Sequence, residues 1–100
     1  MKISACILLL VSTIFAEPVK IKLTDNTSQC VDPAISIDPF GNAHVVWQDN
    51  RCGDWEIFYA KIDANGAILI NNINVSQSGA QSITPDVSTD GDGNAYIVWI

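Results

Sequence analysis

Asp49, Arg51, Asp54 and Glu56 fall within eight residues of one another and set three carboxylates around the only arginine of the chain. A guanidinium presents a planar fork of donors that fits a carboxylate edge. At this spacing Arg51 is expected to bridge acids on either side of a polar loop, with a binding site as the alternative. Asp38 and Glu56 are the residue types of a glycosidase acid pair, but that chemistry needs a set carboxyl separation, and nothing in the sequence sets one. Asp90-Gly-Asp-Gly-Asn94 has the acid spacing that opens a Ca²⁺ loop. An EF-hand loop would need Gly sixth and Glu twelfth. Ala95 stands sixth, so a hairpin turn is expected and no cofactor is assigned, Ca²⁺ being the alternative. The single histidine, His44, is replaced by Tyr96 at the matching place further on, which reads as an aromatic packing position. The sequence contains no Ser-His-Asp set, phosphate loop, zinc spacing or dinucleotide fingerprint.

These residues sit in a regular frame. Pro33-Ala-Ile-Ser-Ile-Asp-Pro-Phe-Gly-Asn-Ala-His-Val-Val-Trp47 aligns without a gap on Pro85-Asp-Val-Ser-Thr-Asp-Gly-Asp-Gly-Asn-Ala-Tyr-Ile-Val-Trp99, an offset of 52 residues. Ile21-Lys-Leu-Thr24 falls opposite Ile73-Asn-Val-Ser76, and Gln29 opposite Gln81. Within one period, short β-branched and aromatic runs alternate with turn clusters. Ala34–Asp38, Ala43–Trp47, Trp55–Ile62 and Ala67–Val75 are expected as strands, the last with a kink or bulge at Asn71-Asn72. Gln48–Asp54 is expected as a polar loop, and Asp63-Ala-Asn-Gly66 as a turn in which Gly takes positive φ. No sustained 3.6-residue period predicts a long helix.

Four short antiparallel strands in about 50 residues is the pattern of a β-propeller blade, whose faces are covered by neighbouring blades. A tandem Ig-like sandwich would need roughly twice that period. The expected fold is therefore all-β, about one and a half blades of four antiparallel strands. Residues 33–84 form the first blade repeat and 85–100 the start of a second. Residues 17–32 are a closure strand and loop, in which Val19–Thr24 matches the fourth strand of a repeat and is expected to supply the outer strand that closes a final blade. The chain is thus expected to be the start of a longer ring, with further blades as its partners. In such a blade the loop entering the first strand and the loop joining the second to the third share one end. Cys30 and Cys52 fall in these loops, so a Cys30–Cys52 disulfide is expected.

Residues 1–16 carry one charge, Lys2, before an apolar run that ends at Ala16. This is the layout of a cleavable signal peptide. The run is short for the roughly 30 Å of bilayer hydrocarbon, so no membrane insertion is expected after cleavage. The whole chain carries a net charge of −6, and loss of Lys2 leaves four basic against eleven acidic residues, a net −7. Such a charge disfavours nucleic acid and anionic membrane surfaces. An exported chain meets oxidising conditions in which disulfides persist.

The Pro-x-Ile-Ser-x-Asp and Gly-Asn-Ala-His-Val-Val-Trp runs, together with Trp47-Gln-Asp-Asn-Arg-Cys-Gly-Asp-Trp-Glu-Ile-Phe-Tyr-Ala-Lys61, resemble repeats of secreted prokaryotic sialidase-like β-propellers. The resemblance covers about residues 20–100, and Ser36-x-Asp38 and Ser88-x-Asp90 approximate that family's Asp-box. It implies a secreted or cell-surface protein and carries over no catalytic residue, because the family's arginine triad and Tyr/Glu pair have no counterpart here. The function expected is a module that binds extracellular protein or glycan, or acts as a structural spacer. The alternative is the N-terminal part of a sialidase-like glycoside hydrolase whose catalytic residues lie on other blades.

Overall fold

The computed structural model describes residues 7–10, 19–24 and 28–100. Among them every regular element is a strand, so the chain is all-β as expected, and no helix is long and apolar enough to cross a membrane. The expected cleavage point after Ala16 lies outside the described residues. Strand β1 (Ile7–Leu10) pairs antiparallel with β2 (Val19–Lys22).

The central sheet is a four-stranded antiparallel meander. Its strands β3 (Cys30–Ile37), β4 (Ala43–Cys52), β5 (Asp54–Ile62) and β6 (Ile68–Asn74) lie side by side in chain order. A final hairpin joins β7 (Asp86–Thr89) to β8 (Ala95–Val98).

The middle strands alternate apolar side chains onto both faces of the sheet, as a doubly covered sheet requires. Ala43, Val45, Trp47, Phe58, Ala60 and Ile62 line one face and pack with Ile21 and Leu23 from the β2 segment. Val46, Ile57 and Tyr59 line the other, where Val87, Ala95 and Ile97 of the final hairpin cover them. Ile70 and Val75 complete this second cluster from the β6 side, and Ala34 from β3. The meander is therefore the middle layer of three.

Two details differ from the expected strand limits. The polar run Gln48–Asp54 is almost entirely strand: β4 continues to Cys52 and β5 begins at Asp54. Only Gly53 stands between them, at φ 105°, donating its N–H to the Asn50 carbonyl at 3.0 Å. Polarity did not make a loop here because the side chains of this run find partners within the fold. The kink at Asn71-Asn72 is present. Tyr59 opposes Ile73 and Lys61 opposes Ile70, so β6 carries one extra residue there, with a second between Ile70 and Ile68, and Asn72 takes φ 49°. This is the two-against-one count of a β-bulge.

The final hairpin pairs in the register of β3 and β4 displaced by 52 residues. Ala34, Ile35, Ser36 and Ile37 oppose Val46, Val45, His44 and Ala43. Asp86, Val87, Ser88 and Thr89 oppose Val98, Ile97, Tyr96 and Ala95. A backbone irregularity falls at the same repeat position as well: Asp32, within β3, has φ 54° and Thr84, ahead of β7, has φ 51°. Val31 opposes Gln48, and at the corresponding positions Ile83 and Ile100 exchange two backbone hydrogen bonds of 2.9 Å.

Ile57 is fully buried at the centre of one face, whereas Ile73 on the outermost strand is 45% exposed. Ile57→Ala is expected to cost about 2–5 kcal/mol, and Ile73→Ala about 0.5 kcal/mol or less. Chemical denaturation of the two variants measures the difference.

Candidate functional site

Three turns at one end of the molecule are built alike, each beginning with an aspartate and placing glycine three residues on. In Asp38-Pro-Phe-Gly-Asn42, carboxylate oxygen Oδ1 of Asp38 accepts the N–H groups of Phe40 at 2.9 Å and Asn42 at 3.0 Å. Asp63 does the same for Asn65 and Ala67, both at 2.9 Å, and Asp90 for Asp92 and Asn94, both at 2.9 Å. Gly41, Gly66 and Gly93 close the turns at φ 84°, 90° and 85°, a region in which a side chain is strained. The carboxylate thus takes the place of a backbone acceptor, as Asx turns do.

In two of these turns the second carboxylate oxygen has a further partner. Asp38 Oδ2 lies 2.8 Å from His44 Nε2, and His44 Nδ1 lies 2.8 Å from the Tyr59 hydroxyl. All three side chains are buried. Asp90 Oδ2 accepts the Tyr96 hydroxyl at 2.8 Å and the Asn94 amide at 3.0 Å. His44 and Tyr96 therefore share a donor role toward the turn aspartate. The expected aromatic packing position is a hydrogen-bonding position, and imidazole and phenol are exchangeable because each brings one donor across the hairpin.

The electrostatics follow from these bonds. The hydrogen bond from His44 holds the Asp38 carboxyl at about 2, against the opposing effect of burial. The Asn94 side chain, then its backbone and Tyr96, hold Asp90 below the usual carboxylate range. Burial raises the Tyr59 hydroxyl, and the Asp38 charge raises it further. Tyr96 is raised by its hydrogen bond to Asp90. With both oxygens of Asp90 holding donors, the Asp90–Asn94 run is occupied as a turn. Among the described residues, no group of three or more His, Cys, Asp and Glu side chains is placed to hold a metal ion.

At the opposite end, Asp49, Arg51, Asp54 and Glu56 do not form one network. Asp49 is fully buried and saturated. Its Oδ1 accepts Ser28 Oγ and the Arg51 N–H, each at 2.9 Å. Its Oδ2 accepts Arg51 Nη2 at 2.8 Å and Trp47 Nε1 at 3.2 Å. Burial pushes this carboxyl up, and the hydrogen bonds from Arg51, Trp47 and Ser28 outweigh it, so the group is lowered overall.

Among the described acids, Arg51 pairs with Asp49 alone. Its Nη2 also reaches Asn72 Oδ1 at 2.8 Å, and its guanidinium carbon lies 4.2 Å over the Phe58 ring. Asn72 in turn donates to the Leu23 carbonyl at 2.8 Å, tying β6 to the β2 segment. Arg51 therefore does not bridge acids across the turn as expected. The β4 strand keeps it on the side of Asp49, and ring and amide partners hold it there.

Glu56 belongs to a second arrangement. Its Oε1 accepts Ser76 Oγ at 2.5 Å and the Ser78 N–H at 3.2 Å, and it anchors the connection from β6 to β7. Asp54 is exposed, and among the described residues its carboxylate meets the Gln81 amide at 3.4 Å. Trp55 is half-buried while Tyr59 is core, so these two aromatics do not form an exposed sugar-stacking pair.

The expected Cys30–Cys52 disulfide is not formed. Cys52 is a free, exposed thiol, and Cys30 is disulfide-bonded to another partner. Cys6 lies outside the described residues. The reason is the length of β4: Cys30 already stands in β3 opposite Asp49, and the strand carries Cys52 three residues beyond. At roughly 3.3 Å per residue, that exceeds the Cα separation of about 7 Å that a disulfide tolerates.

The partners that sequence reasoning missed are hydroxyls and amides: Ser28, Ser76, Ser78 and Asn72. Their types carry no signal, since nothing in the sequence shows which strand they will face. The retention of the aspartate before both His44 and Tyr96 was the one legible sign of a shared bond.

No protein-family model, curated protein or solved structure matches this chain.

Two outcomes follow from the bonding described. Because the folded Asp38 carboxyl is depressed, its contribution to stability is complete above about pH 4 and is lost as pH falls through about 2. Thermal unfolding of wild type and Asp38→Asn across this range should show a gap that is widest above pH 4 and narrows toward pH 2. In the unreduced full-length chain that still carries residues 1–16, a maleimide reagent should modify Cys52 and spare Cys30, as read by peptide mass mapping.

Proposed function

We propose that this chain is an exported β-propeller-type repeat module, serving at or outside the cell surface as a non-catalytic scaffold that binds protein or glycan or spaces other domains. The observation that carries the reading is the 52-residue correspondence. β3–β4 and β7–β8 have the same register, a positive-φ residue at the same repeat position (Asp32 and Thr84) and the same aspartate turn. A four-stranded antiparallel unit covered on one face by a preceding element and on the other by its own successor is what a blade requires. Leu23 and Val75, 52 residues apart, pack on these two opposite faces.

The use of the acids supports the non-catalytic side of the reading. The carboxylates of Asp38, Asp49 and Asp90 accept hydrogen bonds on both oxygens from their own fold. The chain Asp38–His44–Tyr59 has the order of a proton relay, but its terminal phenol is packed in the cluster with Val87 instead of being presented to a substrate. The apolar run ending at Ala16 and the acidic balance of the remainder support export.

The reading is tested by expressing the full chain in a bacterial host and sequencing the N-terminus of material outside the cytoplasm. Glu17 is expected as the new first residue, with no hydrolysis of a fluorogenic sialoside. Unprocessed chain confined to the cytoplasm would sink the export reading. Sialoside turnover that disappears in Glu56→Gln would replace the scaffold with an enzyme.

A further inference from the structure

Asn65 stands apart from the other described asparagines on two counts. It belongs to the single Asn-Gly pair of the sequence. Its side-chain amide also makes no hydrogen bond among the described residues, whereas each of the others is engaged. Asn42 and Asn94 give their amides to the aspartates of their own turns, and Asn50 accepts the Gln29 N–H. On β6, Asn71 and Asn72 bond to each other, and Asn74 accepts Ser76 Oγ and the Gln77 N–H. Asn65 is exposed in the turn between β5 and β6, where its backbone N–H is held by Asp63 Oδ1 at 2.9 Å.

The side-chain amide carbon of an asparagine can be attacked by the backbone nitrogen of the next residue, closing a cyclic imide. A β-carbon on that next residue crowds the approach, and Gly66 has none. An amide bonded into the fold is not free to swing toward the main chain, and that of Asn65 is unbonded. One bond opposes the attack. The Gly66 N–H donates to the Asp63 carbonyl at 3.0 Å, and the Ala67 N–H donates to Asp63 Oδ1 at 2.9 Å. The attacking nitrogen must give up its turn bond before it can reach the side chain.

We propose that Asn65 is a self-modification site, converted without an enzyme to aspartate and isoaspartate with water as co-reactant, and that the Asp63 turn sets the pace. The Gly66 nitrogen loses its proton to solvent and bonds to Asn65 Cγ. The Cγ–Nδ2 bond breaks, and Nδ2 takes up a proton and leaves as ammonia. Water then opens the imide. Breaking the bond from nitrogen to Cγ gives aspartate. Breaking the bond from nitrogen to the main-chain carbonyl carbon gives isoaspartate, in which the backbone runs through Cγ. Asp92 already occupies the same place in the Asp90–Gly93 turn, so the aspartate product leaves the turn as built. Isoaspartate lengthens the main chain between Asp63 and Ala67 and draws the Ala67 N–H away from the Asp63 carboxylate. Either product adds a negative charge to an already acidic chain. The inference depends on neither the export nor the repeat reading.

The test follows the purified full chain by peptide mass mapping during incubation at mildly alkaline pH, with chromatographic separation of the aspartate and isoaspartate peptides. In the folded chain the amide-to-acid mass change is expected at Asn65 ahead of every other asparagine. In guanidinium chloride, where the turn bond is gone, conversion at Asn65 is expected to be several-fold faster. Asp63→Ala removes the carboxylate anchor and is expected to bring the rate without denaturant toward the rate in denaturant. Gly66→Ala is expected to suppress conversion even in denaturant, where its effect on folding plays no part. Another asparagine converting first in the folded chain overturns the proposal. So do equal rates for wild type with and without denaturant, an unchanged rate in Asp63→Ala, or full conversion in Gly66→Ala.

Discussion

A β-sheet with apolar side chains on both faces must be covered twice, and the organisation of this molecule follows from that constraint. Strands β4 and β5 are the densest apolar segments, and their alternation commits Trp47, Phe58 and Ile62 to one face and Val46 and Ile57 to the other. Neither face can be left in water without losing roughly 25 cal/mol for each Å² of apolar surface exposed. The β2 segment and the β7–β8 hairpin supply the two covers from the ends of the chain. A meander of this length has no surplus strands with which to cover itself, so its stability depends on non-local packing.

Covering both faces also decides the fate of the polar residues between the apolar ones. Asp38, Asp49 and Glu56 alternate into the layers with their apolar neighbours and become buried. A buried carboxylate is tolerated only when its oxygens hold donors. Asp38 finds them in its own turn and in His44, Asp49 in Arg51, Trp47 and Ser28, and Glu56 in two serines. The acids with the residue types of a reactive site are thereby used as connectors between elements. Glu56 holds the β6–β7 connection, and Asp49 with Arg51 and Asn72 joins β4, β6 and the β2 segment.

The same residue position can carry two chemistries when its task is simple. His44 and Tyr96 both donate toward a turn aspartate, one from within the core and one from the surface. His44 has a second nitrogen and uses it to engage Tyr59, which the more exposed Tyr96 does not need. Difference in burial, not difference in role, separates the two.

The sequence by itself determined the local structure. Asp-x-x-Gly spacing specifies the turns because only glycine takes the positive φ cheaply, and alternation of β-branched and aromatic residues specifies strands and the faces they bury. The 52-residue offset also places the β7–β8 segments opposite those of β3–β4. Tertiary structure decided the pairings across the sheet. The run Gln48–Asp54 reads as a loop by polarity, yet it is strand because Asp49 and Arg51 find partners on β2-side and β6 residues far away in the chain. That extension moves Cys52 past the reach of Cys30 and leaves its thiol free. Residue type says that an aspartate needs donors, but only the stacking of layers says which side chains stand close enough to provide them.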